Sequence, residues 1–222
     1  PPLELNSTIA NMSLMNRMTA FSANSIRMFI RGIGVRQVRL VCGMVLFSYL
    51  VSHFVNHALG NISMDALADG VYYHTLFWQF LPVAIIFYTA ALLHGGLGLW
   101  ALYERRQFGR YAIEPLQLVL GLSIPVLVAV HVVGARLGQT LFEHEKFYPQ
   151  ELYAFFVARP YLIWQMLAVL IIAWVHGCIG LHFWLRMKAF YARTAPYLLA
   201  AAVLIPTLAI LGIYQAARNV VA

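Results

Sequence analysis

The 222-residue chain is 62% hydrophobic and only 10% charged, with a net charge of +7 and a mean hydropathy of +0.74. A soluble domain runs at about 45–50% apolar and about 25% charged, so this chain is too apolar to keep its surface in water. An ordinary cytosolic enzyme, a disordered linker and a nucleic-acid-binding module are excluded. Cys42 and Cys178 both stand in apolar runs and supply neither a disulfide framework nor a zinc site. The chain opens Pro1-Pro2-Leu3, without Met, which is expected of a mature form or of a piece of something longer.

Leu5, Ile9, Met12, Met15, Met18 and Phe21 recur every three or four residues among Asn, Ser and Thr. This pattern fits an interfacial helix lying on a membrane, with a leader ordered by its neighbours as the equal alternative. Five apolar stretches then reach the ~20 residues that a helix needs to cross a bilayer. They run from about 38 to 59, 76 to 103, 115 to 137, 161 to 185 and 196 to 216. Pro82, Pro125 and Pro206 fall within or near the starts of these spans, where they are expected to kink the axis and free backbone groups. The expected fold is an all-α membrane protein, a bundle of five transmembrane helices. An N-terminal cytoplasmic or interfacial segment is expected over 1–35, the transmembrane domain over 36–218, and over 219–222 a tail expected to continue in a longer parent.

The connections sort by charge. One side holds Arg31, Arg36, Arg39, Arg105, Arg106, Arg110, Arg186, Lys188 and Arg193 against Glu104 and Glu114. The other holds Asp65, Asp69, Glu143, Glu145 and Glu151 against Arg136, Lys146, Arg159 and Arg218. The excess of Lys and Arg predicts that the first side, with the N-terminus, is cytoplasmic.

Six of the eight histidines fall in the spans: His53, His57, His94, His131, His176 and His182. An ionisable side chain at that depth is a functional candidate by default. His53 lies seven residues before Gly60, and His131 seven before Gly138, so these two share a depth on the outer side. His94 lies eleven residues before Arg105, and His176 ten before Arg186, so these two share a depth on the inner side. Two facing imidazoles are what a six-coordinate haem iron requires, one on each face of the macrocycle. The chain therefore offers two haem b sites, His53 with His131 and His94 with His176. Gly95, Gly96 and Gly177 are expected to let the rings approach the backbone.

His57 is one turn beyond His53 on the same face, and either could be the outer ligand, with depth favouring His53. The other of the two, and His182 near the inner surface, are candidates for a haem propionate or a quinone. Arg136 outside and Arg39, Arg105 and Arg106 inside are further propionate candidates. His74 and His144 fall in expected loops and receive no role. Rival chemistries fit less well. A membrane di-iron centre needs clustered His-x-x-x-His motifs at one face, and a proton relay needs carboxylates in mid-span, where this sequence has none.

Four runs carry a resemblance: Ser-His-Phe-Val-Asn-His-Ala-Leu-Gly (52–60), Leu-His-Gly-Gly-Leu-Gly-Leu-Trp-Ala-Leu-Tyr-Glu-Arg-Arg (93–106), His-Val-Val-Gly-Ala-Arg-Leu (131–137) and His-Gly-Cys-Ile-Gly-Leu-His-Phe-Trp-Leu-Arg (176–186). The arrangement resembles the cytochrome b anchor of the succinate dehydrogenase/fumarate reductase superfamily. Its five-helix dihaem version pairs the first helix with the third and the second with the fourth. The four runs are most similar to the dihaem b membrane domain of certain bacterial class III adenylate cyclases. That resemblance implies a bacterial inner-membrane, homodimeric protein with a sixth span and a cytoplasmic cyclase domain beyond residue 222, often with a 2Fe–2S ferredoxin domain between. It also implies a redox-sensing role. The alternative is an electron-transfer anchor subunit of a quinone oxidoreductase. In neither case does this chain hold a catalytic centre of its own.

Overall fold

The computed structural model describes residues 34–104, 113–134 and 148–221. The expected interfacial helix over 5–30 lies outside the described residues, as do Arg105, Arg106, Arg136 and His144. The chain divides into two compact units, Pro1–Val38 and Arg39–Ala222. Of the first, residues 34–38 are described, and they carry the start of the first helix.

Every described element is helical. α1 (Val35–Ala58) closes in a 3-10 turn (Leu59–Asn61) and is followed by α2 (Met64–Gln79), α3 (Leu81–Tyr103) and α4 (Ile113–Val132). α5 (Tyr148–Tyr153) runs into a π turn (Ala154–Ala158), and α6 (Tyr161–Leu185) and α7 (Tyr191–Val221) complete the described chain. Five segments are long and apolar enough to span a membrane: Val35–Asn61, Leu81–Tyr103, Ile113–Val132, Tyr161–Leu185 and Tyr191–Val220. The all-α, five-helix fold expected from the sequence is the fold observed. Its outward surface is apolar, with Leu92, Val126 and Trp164 each about three-quarters exposed. Such a surface suits acyl chains, because the helices satisfy their own backbone polar groups and leave only hydrocarbon outside.

Two expected boundaries are corrected. The stretch before residue 76 is no loop but most of α2. Ser63 caps it, its Oγ accepting from the Ala66 amide at 3.0 Å, and Asp65 stands in the first turn. Both features favour a helix start. Pro82 does not kink a span; it begins one. Phe80 leaves the helical region (φ −54°, ψ 122°), and Pro82 sits in the first turn of α3, where its missing N–H costs nothing. The fifth span is also longer at both ends than the 196–216 expected, and it contains Pro196 as well as Pro206.

Pro206 cannot donate to the Ala202 carbonyl one turn earlier. The Trp174 indole Nε1–H of α6 donates to it instead, at 2.7 Å. Trp174 is buried in a core cluster with Phe54, Leu170 and Ala209, so this bond lies in an apolar setting. Trp174→Phe is expected to lower stability by about 1–2 kcal/mol, because it leaves a buried carbonyl without a donor. Adding Pro206→Ala supplies a backbone N–H and should recover most of the loss. Thermal unfolding of the single and double variants in detergent checks both signs.

The end of α1 is fastened to α7. A Cβ on Gly60 would overlap the Gly212 carbonyl, and a Cβ on Gly212 would overlap the His57 carbonyl, so the two backbones touch. Small residues permit this approach in membrane helices. Asn61 Nδ2 adds bonds to the carbonyls of Leu208 (2.8 Å) and Ala58 (2.9 Å). Beside this junction Leu152 of α5 is buried with Leu67 of α2 and Ala216 and Ala217 of α7. α5 is therefore a fixed cap over that end of the bundle. Elsewhere α4 packs closely on α6 and on α3, and Gln165 Nε2 of α6 donates to the Leu127 carbonyl of α4 at 2.9 Å.

Candidate functional site

The histidines assemble as pairs. His94 of α3 and His176 of α6 bring their ring centroids to 6.1 Å with ring planes at 86°. His53 of α1 and His131 of α4 stand at 6.0 Å and 62°. These are the two pairs that the depth count joined. His53 lies about 8 Å from the end of α1 and His94 about 20 Å into α3, so the pairs are offset along the bundle by roughly 12 Å. Among the described residues, α3 and α6 are not a closely packed pair of backbones. His94 and His176 thus stand across a gap between their helices.

At the His94 site, hydrogen bonding fixes which ring nitrogen is free. A carbonyl oxygen can only accept. His94 Nδ1–H therefore donates to the Arg39 carbonyl at 3.0 Å, and His176 Nδ1–H donates to the Gln117 carbonyl at 2.9 Å. Nε2 is left as the lone-pair nitrogen in both rings. Metal-binding histidines show this arrangement routinely, the outer bond orienting the ring and raising its basicity. Arg39 enters the site through its backbone, a contribution that composition and spacing gave no reason to expect.

Two glycines on neighbouring helices clear the rings. A Cβ on Gly121 of α4 would stand 2.5 Å from His176 Cε1, and a Cβ on Gly43 of α1 would stand 2.9 Å from His94 Cε1. The glycines singled out in sequence serve otherwise. Gly95 and Gly96 face open space, and Gly177 makes room for the Phe47 ring. Adjacency along the chain is a poor guide here, since the clearance a ring needs is set by the opposite helix.

No family model, curated protein or solved structure matches this chain. Its chemistry is therefore read from its donors. A metal–imidazole bond of about 2 Å on each side of one metal places opposed ring centroids about 6 Å apart. Both pairs have that separation. Among the described residues no three His, Cys, Asp or Glu side chains converge on a single metal-ion position. Two imidazoles at that separation, with Gly43 and Gly121 clearing the rings at the His94 site, are compatible with a flat macrocycle held between them.

The His53 site is more crowded. His53 Nε2 and His57 Nε2 are 3.2 Å apart, and His57 Nδ1 is bonded to the Tyr148 hydroxyl of the α5 cap at 2.8 Å. Tyr49 stacks on His53 at 5.5 Å and 13°, and Trp78 Nε1 donates to Ser52 Oγ at 3.0 Å behind it. His74, expected in a loop, is on α2 with its ring 5.5 Å from that of His53. Its Nε2 is buried without a partner among the described residues. Burial lowers the His74 pKa and keeps the ring neutral, and it pushes the Tyr148 phenol up, so the hydroxyl stays protonated. His74 was recoverable from sequence: Ser63 and Asp65 announce a helix, and Gly70, His74 and Trp78 then recur every four residues along one face.

His182 joins neither pair. Its Nδ1 is bonded to the Tyr191 hydroxyl at 2.6 Å across the α6–α7 connection, and the Arg186 guanidinium lies 5.0 Å over the Phe183 ring beside it.

Proposed function

We propose that this chain is a dihaem b cytochrome domain whose axial ligands are His53 with His131 and His94 with His176. The carrying observation is the pair of 6.0 Å and 6.1 Å imidazole separations on four different helices. Bound haem supplies one-electron redox chemistry at each position. The chain's own part is to orient the rings through the Arg39 and Gln117 carbonyls and to exclude water with apolar helix faces. Arg39, Arg105, Arg106 and Arg136 are the propionate candidates by their positions in the sequence. His57 and His182 are suited to a propionate or a quinone.

The basic residues Arg36, Arg39, Arg186, Lys188 and Arg193 gather at the helix ends opposite α2. That distribution supports a cytoplasmic N-terminus, and the resemblance carried by the four motif runs supports a bacterial inner-membrane location. The four motif runs support a regulatory role for the domain, in which haem redox state biases two helix arrangements that a downstream class III adenylate cyclase domain senses. The parent is then a homodimer, with an iron–sulfur domain as an optional relay.

The purified chain should carry two low-spin haems b, read by haem quantitation and a reduced-minus-oxidised visible spectrum; a colourless protein ends the proposal. The regulatory part is checked on the full-length parent. Its cyclase activity should differ between oxidised and reduced haems, and equal activity in both states rejects it.

A further inference from the structure

We propose that His57 is a second axial ligand for the His53 position, interchangeable with His53 opposite His131. This rests on the dihaem reading above and concerns which nitrogen the α1 face presents. His53 and His57 are four residues apart, so they project from one helix face. Their Nε2 atoms are hydrogen-bonded to one another at 3.2 Å, one donating and the other accepting, so the two ring nitrogens occupy neighbouring places in the site. A haem iron has one axial position on each face, so the two rings exclude one another there.

His57 is equipped as a ligand in the way the two rings of the other site are. Its Nδ1 is held at 2.8 Å by a partner, and its Nε2 stands beside His53 Nε2. That partner is the Tyr148 hydroxyl rather than a carbonyl, and the difference matters. A carbonyl only accepts and imposes one tautomer, whereas a hydroxyl both donates and accepts. When Tyr148 donates, His57 carries its proton on Nε2 and cannot ligate. When Tyr148 accepts, Nε2 has its lone pair free. The cap that carries Tyr148 is pinned by buried Leu152, so the hydroxyl stands at a fixed place over the site. Tyr148 is thus the positioning residue for the second ligand. The exchange needs side-chain rotation alone, because a 3.2 Å offset is smaller than one helical turn (about 5.4 Å). The His94 site has no such neighbour: four residues from His94 stand Ala90 and Gly98, and four from His176 stand Ile172 and Gly180.

The test uses the purified full chain, with haem content per chain and electron paramagnetic resonance of the ferric low-spin signals. His53→Ala should keep two haems, with the outer signal still low-spin but at shifted g values. His57→Ala should keep two haems with the His53 signal, and the double variant should fall to one. Adding Tyr148→Phe to His53→Ala should shift the g values again, since the bond to Nδ1 is lost; a purely structural role leaves them unmoved. His53→Ala falling to one haem, or turning high-spin with the His94-site signal intact, overturns the proposal. A double variant that keeps both haems low-spin overturns it too. Should His53→Ala lose both signals through misfolding, His53→Asn gives the same readings. A wild-type chain without haem rejects the dihaem reading instead, which separates the two failures.

Discussion

Replacing His176 with alanine is expected to halve the haem content, from two per chain to one, and replacing His94 should remove the same haem. On the dihaem reading each imidazole would supply one of the two protein bonds that hold the iron, and either replacement would leave a single ligand. A tenfold loss of occupancy needs only about 1.4 kcal/mol, and a metal–nitrogen bond contributes more than that. Because the two rings act as a unit, the His94→Ala/His176→Ala double variant should lose no more than either single variant. His131→Ala should remove the other haem, leaving the His94-site spectrum unchanged. His131→Ala combined with His176→Ala should be colourless. Haem quantitation with the position of the α band distinguishes these outcomes. If the His131 and His176 variants lose the same haem, the pairing is wrong, whatever the total.

The number of spans was legible in sequence, and so was the proximity of His53 to His131 and of His94 to His176, because both depend on quantities that a straight helix fixes. A rise of about 1.5 Å per residue converts residue counts into depth, and equal depth was enough to join His94 with His176. What depends on the azimuth of one helix against another was not legible. Gly121 and Gly43 are unremarkable glycines in apolar runs, and their meaning comes from the ring that each one faces on another helix. The Arg39 and Gln117 carbonyls are likewise invisible, since every residue has a carbonyl and only packing selects one. His74 was missed for a different reason. Polar α2 failed the test of apolar length, although its Ser63 cap and Asp65 mark a helix start as clearly as any signal in the chain. Pro206 belongs between these cases. Sequence says that it frees the Ala202 carbonyl, and only the structure says that Trp174 satisfies it.

Gly121→Val should abolish haem binding at the His94 site without altering any ligand, and Gly121→Ala should weaken it strongly. A Cβ at residue 121 meets three atoms of the His176 ring, Cε1 at 2.5 Å, Nδ1 at 3.0 Å and Nε2 at 3.3 Å. Ordinary carbon contacts begin near 3.5 Å, so the ring must retreat by about 1 Å. Retreat is opposed because Nδ1 is tied at 2.9 Å to the Gln117 carbonyl, one turn before Gly121 on the same helix, so moving away from Gly121 stretches that bond. The ring therefore gives up either its orienting bond or its aim at the iron. Loss of an outer partner alone typically costs 10–100-fold in metal affinity. Gly43→Ala should act in the same direction on His94 but less severely, since its Cβ meets two ring atoms at 2.9 Å and 3.2 Å. Gly95→Ala and Gly98→Ala are the controls. Both positions face open space, so alanine there should leave haem content unchanged and stabilise the helix by about 0.5–1 kcal/mol. A general intolerance of side chains in the spans would damage all four variants alike. Clearance of the ring damages only the first two positions, and it does so at one haem of the two.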